Sequence, residues 1–394
     1  MRILLVCEQI YSGAAGAQVA RSAAQVLCEA GHEVAFLAQD ELPDGKKHLG
    51  EVYLLPRPRY PAYVWGGGQL EETRRAVREF KPEIAHVIQF GTVNGISWAV
   101  IKALQDAQIP VVYAPVNYLT FCMNTYFYRP GVGDCQLCLN HQYRHGVIHQ
   151  CGGKRGSYTQ WAAMQLQKET VRNFRAVLST CEDVDQAFVD YGIPREKLVR
   201  TYHAFEWERV QGEPISDGGK VLFYGQGREE KGIHLFPELF RRVKGINFEL
   251  YLWSGLWDGV DQLRSDQNTV QVNTDKTWKT GLHAAAANAR AAVLPTVNRS
   301  FGELVVYEAM ALGKPVVAFA LGANPTLIRN GVDGILVPPG DIEALAAAVQ
   351  RVHDDADYAA ALGRSAAERA RQLWSNESVY ATYQAAYDLA LAQN

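Results

Sequence analysis

The chain has 394 residues, a formal net charge of −3, 48% hydrophobic residues and 21% charged residues. This balance is typical of a folded globular protein with a large core and excludes a disordered chain. The slightly negative charge argues against a nucleic-acid partner, which would require a basic surface. Because no apolar run has the length of a signal peptide or a membrane span, we expect a cytoplasmic protein whose seven cysteines are not paired in disulfides.

The first half of the sequence alternates apolar runs with helical segments. A glycine-bearing loop over residues 12–16 joins the first strand to a helix that continues to Ala30, and another helix starts near Glu182. Apolar runs predict strands over residues 2–6, from 33 onward, and over 81–87, 109–113 and 176–180. Strands that alternate with helices in this way predict a doubly wound parallel sheet.

The second half repeats this plan after a polar, charged stretch over residues 206–220, which we interpret as a linker. Strands are predicted over residues 221–225, 248–253, 291–295 and 316–319. The sequence therefore predicts an α/β protein with two doubly wound parallel sheets.

The segment over residues 300–341 combines a helix that carries a carboxylate with a buried strand and two glycine turns. Glu308 lies in an apolar helix that stops at Gly313, and an apolar strand follows at 316–319. Open α/β sheets bind ligands at the junctions between strands and helices. An ionised glutamate there can accept both hydroxyls of a ribose.

This segment resembles the C-terminal signature of retaining, nucleotide-sugar-dependent glycosyltransferases of the family 4-like type. The family pattern is Glu-x7-Glu with Phe-Gly inside it, followed by Ala-Met-Ala-x-Gly-x-Pro-Val-Val. Phe301, Gly302, Glu308 and the residues over 309–317 match it, and the resemblance covers most of the chain. It implies the GT-B fold, in which two Rossmann-like domains face a cleft.

The resemblance also implies a division of labour. An N-terminal domain over residues 1–205 would hold the acceptor, and a C-terminal domain over 206–373 would hold the nucleotide sugar. The last segment, 374–394, would be a helix that crosses back to the N-terminal domain. In this family the acceptor hydroxyl attacks from the face that the diphosphate leaves, and the proton passes to the departing phosphate.

A loop after the predicted strand at 221–225 offers cations and backbone donors to a diphosphate. It resembles the family's Gly-Arg-x4-Lys-Gly, in which the arginine and the lysine clamp the pyrophosphate. Lys231 aligns with that lysine, but Gln226 occupies the arginine position and Arg228 lies two residues later. Either Arg228 reaches the phosphates through a shifted loop, or it forms a surface ion pair with Glu229 or Glu230.

The N-terminal glycine loop resembles the family's donor-contacting turn, in which Gly13 and Gly16 would let backbone N–H groups approach the donor. Glycine turns occur in all doubly wound folds. A dinucleotide-binding loop would require Gly-x-Gly-x-x-Gly and an acidic residue after the second strand. The glycine spacing differs here, although Asp40 would suit that alternative.

Two positions depart from the family pattern. The first glutamate of the pair falls on Ser300, an extra residue follows Gly302, and Glu303 is the nearest carboxylate. Glu303 either contacts the donor sugar or is a solvated glutamate at a helix start. With Lys231 and Arg228, it is a candidate catalytic residue.

The second departure lies after the predicted strand at 109–113. This stretch resembles the subfamily motif His-Asp-Tyr-Trp-x-x-Cys, with Val116 and Asn117 in place of the His-Asp pair, followed by Tyr118. The family histidine contacts the donor sugar, so its role here would pass to another residue or be lost. His86 is a candidate, and a buried core histidine is the alternative. We place His86, Asn117 and Tyr118 on the acceptor side.

Four cysteines form a C-x12-C-x2-C-x12-C pattern inside a predicted inserted loop over residues 118–156: Cys122, Cys135, Cys138 and Cys151. Four thiolates suit a structural zinc ion, with an iron–sulfur cluster as the rival and unrelated free thiols as the third alternative. A site closed by four thiolates leaves no position for water, so this metal would be structural.

The sequence therefore predicts a hexosyltransferase that moves a sugar from a nucleoside-diphosphate sugar to a hydroxyl of a glycan, glycolipid or small molecule, without a catalytic metal. Membrane association is expected only with a lipid acceptor. Three alternatives stay open: a sugar-nucleotide epimerase or phosphorylase, a non-catalytic sugar-nucleotide-binding subunit, and an NAD(P)-dependent oxidoreductase.

Overall fold

A computed structural model describes residues 1–12, 15–40, 49–58, 65–91, 95–123, 127–129, 132–135, 137–140, 144–151, 156–254 and 256–392. The chain divides into two compact units. The first comprises Met1–Phe127, Cys135–Phe205 and Asn376–Asn394, and the second comprises Tyr128–Asp134 and Glu206–Ser375. Each unit contains a parallel sheet, so the prediction of an α/β protein with two such sheets is confirmed.

The strands of the described part follow the chain in this order: β1 (Arg2–Val6), β2 (Glu33–Ala38), β3 (Glu51–Leu54), β4 (Ile84–Val87), β5 (Val111–Tyr113), β6 (Tyr128–Arg129), β7 (Gly133–Asp134), β8 (Ala176–Ser179), β9 (Leu198–Arg200), β10 (Lys220–Gln226), β11 (Asn247–Trp253), β12 (Thr269–Asn273), β13 (Ala289–Leu294), β14 (Val316–Phe319) and β15 (Gly334–Val337).

The α-helices of the described part are α1 (Ala15–Glu29), α2 (Gln69–Phe80), α3 (Trp98–Asp106), α4 (Leu137–Asn140), α5 (Arg144–Ile148), α6 (Gly156–Arg172), α7 (Glu182–Tyr191), α8 (Phe236–Arg242), α9 (Leu282–Asn288), α10 (Leu304–Ala311), α11 (Asn324–Leu327), α12 (Ile342–Asp354), α13 (Ala356–Trp374) and α14 (Asn376–Leu391).

The sheet of the first unit has the strand order β3-β2-β1-β4-β5-β8-β9, with every pair parallel. Its inner strands are continuous apolar runs such as Ile3–Val6, because helices cover both faces of the sheet. The C-terminal helix α14 packs on this sheet through the buried side chains of Val379, Tyr383, Ala386 and Tyr387. The last segment of the chain therefore completes the core of the first unit.

The second unit contains a parallel sheet in the order β12-β11-β10-β13-β14-β15. The strand order reverses between β10 and β13, and ligands of open α/β sheets bind at the carboxyl ends of strands beside such a reversal. Glu303 and Glu308 lie at the start and in the body of α10, the helix that follows β13. The fold thus brings the loops after β10 and β13 to the same edge.

Two boundaries differ from those expected. The final helix begins at Asn376 and not at Trp374, because Trp374 ends α13, where its fully buried ring stacks on Tyr307 with 4.2 Å between centroids. The antiparallel hairpin β6–β7 comes from the first half of the sequence but belongs to the second unit. The inserted loop over 118–156 is described only in part and stays a prediction.

No helix in the described part of the chain combines the length and the apolar character needed to cross a membrane.

Candidate functional site

The carboxyl edge of the second sheet is formed by the loop after β10 and the loop after β13. Gly232 in the first loop has a φ of +77°, and a Cβ at this position would collide with the carbonyl oxygen of Pro295 in the second. The Val297 N–H donates to the carbonyl oxygen of Glu230 at 3.1 Å. Only glycine allows this approach, so the close contact of the two loops is built into the sequence.

Lys231 and Glu303 meet where the two loops touch. Lys231 Nζ lies 2.7 Å from Glu303 Oε1, and the Thr296 hydroxyl donates to Glu303 Oε2 at 3.2 Å. The Lys231 and Glu303 side chains are 16% and 13% exposed, so both are held in place but still reach solvent. Glu303 directly precedes α10, whose first turn has no side-chain cap. An ammonium, a carboxylate and a helix start therefore converge at this edge.

Arg228 and Gln226 lie beside this pair. Arg228 Nη1 is 3.7 Å from Glu230 Oε1, and the Arg228 side chain is 41% exposed. It therefore forms the surface ion pair that the sequence left open, and an ion pair so exposed adds little stability. Gln226 is the last residue of β10 and is half-buried.

Phe301 and Gly302 shape the second loop. Phe301 is buried, and Gly302 has a φ of +114° with the Tyr307 ring 3.1 Å from where a Cβ would stand. Gly322, with a φ of +60°, allows the turn after β14 to approach the backbone of Ser300, whose carbonyl oxygen accepts from Ala323 N at 2.9 Å. These glycines and this aromatic ring shape the loop that leads into α10, and a donor-binding role for Phe301 and Gly302 stays a prediction.

Glu308 is almost completely buried, five residues further along α10. It forms an ion pair with Arg209, whose Nε and Nη2 lie 3.0 Å and 2.6 Å from the same oxygen, Oε1. Arg209 comes from the short turn over Trp207–Val210, inside the stretch that the sequence analysis interpreted as a linker. This stretch therefore contributes a charged side chain to the candidate site.

Burial raises the pKa of Glu308 to about 7, and Arg209 opposes that shift by favouring the charged carboxylate. The Tyr224 hydroxyl, which donates to the Val305 carbonyl oxygen at 3.1 Å, lies near this carboxyl and lowers its pKa, while nearby Glu206 raises it. Glu308 therefore titrates close to neutral pH, which is unusual for a glutamate.

An aromatic platform supports Arg209. Its guanidinium carbon lies 4.8 Å from the centroid of the Trp278 ring, and Trp278 Nε1 donates to the Arg209 carbonyl oxygen at 2.7 Å. Trp278 in turn stacks on His283, with ring centroids 5.0 Å apart and an interplanar angle of 15°. The guanidinium is thus held by a ring face on one side and by Glu308 on the other.

The hairpin β6–β7 contacts both loops of this edge. Arg299 Nε lies 3.1 Å and 3.2 Å from the two oxygens of Asp134, and Arg299 Nη2 lies 3.0 Å from Asp134 Oδ2. The pKa of Tyr128, which pairs with Asp134 across the hairpin, is raised to about 12 by burial and by neighbouring Glu229 and Glu230. One hairpin thus links the loop after β10 to the loop after β13.

In the first unit, Gly16 lies at the start of α1, beside the carboxyl ends of β4 and β5. A Cβ on Gly16 would be 2.8 Å from Gln89 Oε1 and 3.7 Å from Val116 Cγ2. Gly16 therefore permits the close approach of Gln89, and its contact with a donor stays a prediction. Asn117 Oδ1 accepts from Leu119 N at 3.0 Å and so stabilises its own turn. Gly13 lies outside the described residues.

His86 and Tyr118 are core residues, which corrects their acceptor-side placement. His86 is fully buried on β4, and its Nδ1 lies 2.7 Å from the Tyr387 hydroxyl of α14. Burial lowers the pKa of His86 to about 3, so it is neutral at physiological pH. The Tyr118 ring is 1% exposed and packs on Phe127 with 4.4 Å between centroids. Neither ring reaches a surface where an acceptor could bind.

Asp40 stabilises the loop after β1. Its Oδ1 accepts from Ile10 N at 2.5 Å and its Oδ2 from Tyr11 N at 3.4 Å. A dinucleotide-binding acid would hold ribose hydroxyls, whereas this carboxylate accepts from backbone N–H groups. The geometry thus gives no support to the oxidoreductase alternative.

The four cysteines do not form the predicted metal centre in the part of the chain that is described. Within that part, no three side chains of His, Cys, Asp or Glu form a group that could hold a metal ion. Cys122 is buried, while Cys135, Cys138 and Cys151 are half-buried. Burial raises the pKa of the Cys138 thiol to about 11, and nearby Cys151 and Cys135 add to that rise. Neither zinc nor an iron–sulfur cluster is supported.

Three polar residues at this edge were not identified from the sequence: Arg209, Thr296 and Arg299. Arg209 belongs to a stretch interpreted as a linker, although its Glu-Trp-Glu-Arg composition is unlike a flexible linker. Arg299 could have been found by counting back from Glu308 through the extra residue after Gly302, because that count ends on Arg299 and not on Ser300. Thr296 gives no signal in the sequence alone.

Two family models match the chain. The model described as Glycosyl transferase 4-like domain matches residues 14–202, and the one described as Glycosyl transferases group 1 matches residues 218–355. Together they cover most of the sequence and correspond to the first and second sheets.

Curated relatives match parts of the chain. An exopolysaccharide phosphotransferase of Streptomyces coelicolor is 36% identical over 181 residues, which are 46% of this chain and 16% of that protein. A glycogen synthase of Mycobacterium tuberculosis is 33% identical over 172 residues, 42% of this chain and 41% of that protein. The chain thus matches less than half the length of these curated relatives.

Solved structures match the whole chain in fold. Sucrose-phosphate synthase from Thermosynechococcus elongatus has a TM-score of 0.67 at 18% identity, and the alignment covers 100% of both chains. HepE of Anabaena, solved with UDP-glucose, has a TM-score of 0.66 at 15% identity, again over 100% of both chains. Two parallel-sheet units and these similarities define a GT-B protein. The chain belongs to the glycosyltransferases of the group 1 and family 4-like type, as the resemblance implied.

Proposed function

We propose that this protein is a retaining glycosyltransferase that moves a sugar from a nucleoside-diphosphate sugar to an acceptor hydroxyl. One observation carries the proposal: Lys231, Glu303 and Glu308 all lie at the carboxyl edge of the second sheet, beside its reversal of strand order. Such an edge can bind the sugar, the diphosphate and the ribose of one donor molecule side by side.

Lys231 meets the charge of the departing diphosphate. Its ammonium is a compact point charge at the loop contact, and the uncapped first turn of α10 adds the positive end of a helix dipole. Fixed positive groups aimed at a leaving group lower the barrier, because its negative charge grows in the transition state. Arg228 is free to rotate from its exposed pair with Glu230 and is the second candidate cation.

Glu303 orients the donor sugar. Its carboxylate contacts Lys231 and Thr296, so it stands beside the ammonium that would hold the phosphate next to the sugar. During transfer the bond from the anomeric carbon to the phosphate oxygen breaks, and a bond to the acceptor oxygen forms on the same face. The acceptor proton goes to the released phosphate oxygen. Glu308 holds the ribose away from the reacting bond.

UDP-sugars are the first donors to test, because the similarly folded HepE was solved with UDP-glucose. The first unit would hold the acceptor, and Asn117 stays a candidate on that side. With Val116 at the position of the family histidine, an acceptor or donor-sugar contact from that position would be apolar.

A donor screen with product analysis tests the proposal. We expect UDP-, GDP-, ADP- or TDP-sugars to raise the melting temperature, and released diphosphate to increase when hydroxyl acceptors are added. Proton NMR of the product should show the anomeric configuration of the donor. An inverted product would contradict retention, and binding without any turnover would favour the non-catalytic subunit. Interconversion of the donor sugar without an acceptor would favour the epimerase.

A further inference from the structure

The contacts of Glu308 raise a question that the family pattern does not answer. A carboxylate that is to accept a ribose diol must be charged, yet this one is 4% exposed and its burial favours the neutral acid. Something in the protein has to keep it ionised. The cation that does so is Arg209.

We propose that Arg209 is a positioning residue of the donor site: it binds Oε1 of Glu308, keeps this carboxylate charged in its buried position, and leaves Oε2 to accept a ribose hydroxyl. The inference rests on the proposed function, since it assigns a nucleoside diphosphate to this site. It adds a residue outside the family pattern of the helix and its flanking loops.

The geometry of the ion pair supports this division between the two oxygens. Both guanidinium nitrogens approach Oε1, at 3.0 Å and 2.6 Å, and no Arg209 contact to Oε2 accompanies them. A bidentate pair across both oxygens would instead compete with a diol for the whole carboxylate. The observed arrangement lets the cation and a ribose share Glu308.

Trp278 holds the guanidinium in this position. The indole ring faces the Arg209 guanidinium carbon at 4.8 Å, and the indole N–H fixes the Arg209 backbone at 2.7 Å. Arg209 is therefore constrained at both its main chain and its side-chain end. A platform of this kind reduces the entropy lost when the ion pair forms.

The charged and titratable groups that face Glu308 come from two neighbouring segments. Arg209 and Glu206 belong to the stretch before β10, and Tyr224 belongs to β10. His283 lies behind Trp278 and does not face the carboxylate directly. Because the positive charge comes from Arg209, its removal must favour the neutral acid.

The test compares the wild type with Arg209→Gln and Arg209→Lys. The ionisation of Glu308 is read by carbon-13 NMR of labelled glutamate, with Glu308→Gln to assign the signal. Binding of UDP and of dUDP, which lacks the ribose 2′-hydroxyl, is measured by calorimetry between pH 6 and 9. Arg290→Gln is the matched control, because Arg290 pairs with Asp217 at the opposite end of β13.

We expect the ionisation midpoint of Glu308 to move to higher pH in Arg209→Gln and to stay close to wild type in Arg209→Lys. At pH 7.5 the affinity of Arg209→Gln for UDP should fall by about threefold if the midpoint rises by one pH unit from about 7, and by nearly tenfold more for each further unit. The preference of the wild type for UDP over dUDP should disappear in Glu308→Gln and shrink in Arg209→Gln as the pH falls. Arg290→Gln should bind both nucleotides like the wild type.

The outcomes separate this inference from the proposed function. If the wild type binds UDP with a preference over dUDP, and Arg209→Gln retains that affinity and preference at every pH, then the inference is wrong and the proposed function stands. If neither UDP, GDP, ADP nor TDP binds the wild type, the proposed function is wrong, and the role given to Arg209 fails with it. A loss of affinity in Arg209→Gln without movement of the midpoint would show a merely structural role.

Discussion

The region around Lys231 and Glu303 and the region around Arg209 and Glu308 each join a cation to a carboxylate of the same short segment, yet their surroundings differ. The first pair spans two loops and reaches solvent, with side chains 16% and 13% exposed. In the second pair, the Glu308 side chain is only 5% exposed and its pKa is raised to about 7.

Both carboxylates have a cationic partner, so burial is what distinguishes their chemical roles. Glu303 keeps partial access to solvent, so its contact with Lys231 can give way when an anionic ligand arrives. Glu308 has lost most of its hydration, and its charge depends on one fixed cation. The region around Lys231 and Glu303 therefore suits a diphosphate, whose charge grows during the reaction. The region around Arg209 and Glu308 suits a neutral ribose diol that stays bound.

The largest effect should come from removing Lys231, the cation of the pair that reaches solvent. In Lys231→Met the leaving diphosphate loses its point charge, and turnover with the best donor should fall by about 100- to 1000-fold. Steady-state release of nucleoside diphosphate measures this loss.

Lys231→Arg and Lys244→Met are the controls for this prediction. The arginine keeps the charge and should restore part of the rate, while Lys244 lies on the surface after α8, away from the site. If Lys231→Met turned over within a factor of about three of the wild type, Lys231 would not be the cation that meets the leaving group.

A smaller and more selective effect is expected at Glu303. Glu303→Gln removes a negative charge beside the diphosphate but also a contact to the sugar. The affinity for UDP alone should therefore stay the same or rise, while turnover of the UDP-sugar should fall by about tenfold, the equivalent of one hydrogen bond to a charged group. Calorimetry and steady-state kinetics on the same preparation separate the two quantities.

Thr296→Val serves as a companion to Glu303→Gln, since it removes the hydroxyl that donates to Glu303 Oε2 and keeps the shape of the side chain. It should change turnover in the same direction and by less. Equal losses of UDP affinity and of turnover in Glu303→Gln would indicate that this residue holds the loop and not the sugar.

The inner strands of both sheets were predicted from the sequence, and all four edge strands were missed. β1, β10 and β14 are continuous apolar runs because both of their faces are covered. The edge strands β3 and β12 have mostly exposed or half-buried residues and contain only four and five residues. A short, half-exposed strand leaves no periodic signal in the sequence, since its pairing depends on a neighbour far along the chain.

The residues of the candidate site likewise fall into those that the sequence identified and those that it missed. Lys231 and Glu308 were identified because local motifs place them next to a strand end. The partner of Glu308, by contrast, is separated from it by 99 positions, and the side chains of Arg299 and Asp134 are 165 positions apart. Local patterns carry no information on such contacts, which depend on how the loops pack.

For His86 the sequence left two alternatives, a contact on the acceptor side and a buried core histidine, and local pattern alone could not choose between them. A histidine at a strand end suggested a polar contact, but its ring faces α14, whose Tyr383 and Tyr387 come from the far end of the chain. The tyrosine hydroxyl supplies the hydrogen bond that a buried imidazole requires. Only the packing of the last helix on the first sheet decides this role.

The smallest effect concerns the hairpin β6–β7, which contacts the loops after β10 and after β13. Asp134→Asn and Arg299→Gln each remove one charge of their pair, whose side chains are 40% and 23% exposed. Since solvent screens such a pair, the coupling between the two substitutions should be only about 0.5 kcal/mol in a double-mutant cycle of unfolding. Turnover should fall by about two- to fivefold, because the loop that carries Glu303 is held less firmly.

Hydrogen exchange distinguishes this positional role from a general loss of stability. Peptides that cover the hairpin and the loop after β13 should exchange faster in both variants, while peptides from the first sheet should exchange as in the wild type. Arg195→Gln, which removes a more exposed ion pair with Glu182 in the first unit, is the control and should leave the hairpin unchanged. Unchanged exchange at the hairpin together with a lost rate would show that Arg299 acts on the donor directly, at the position where the family places its first glutamate.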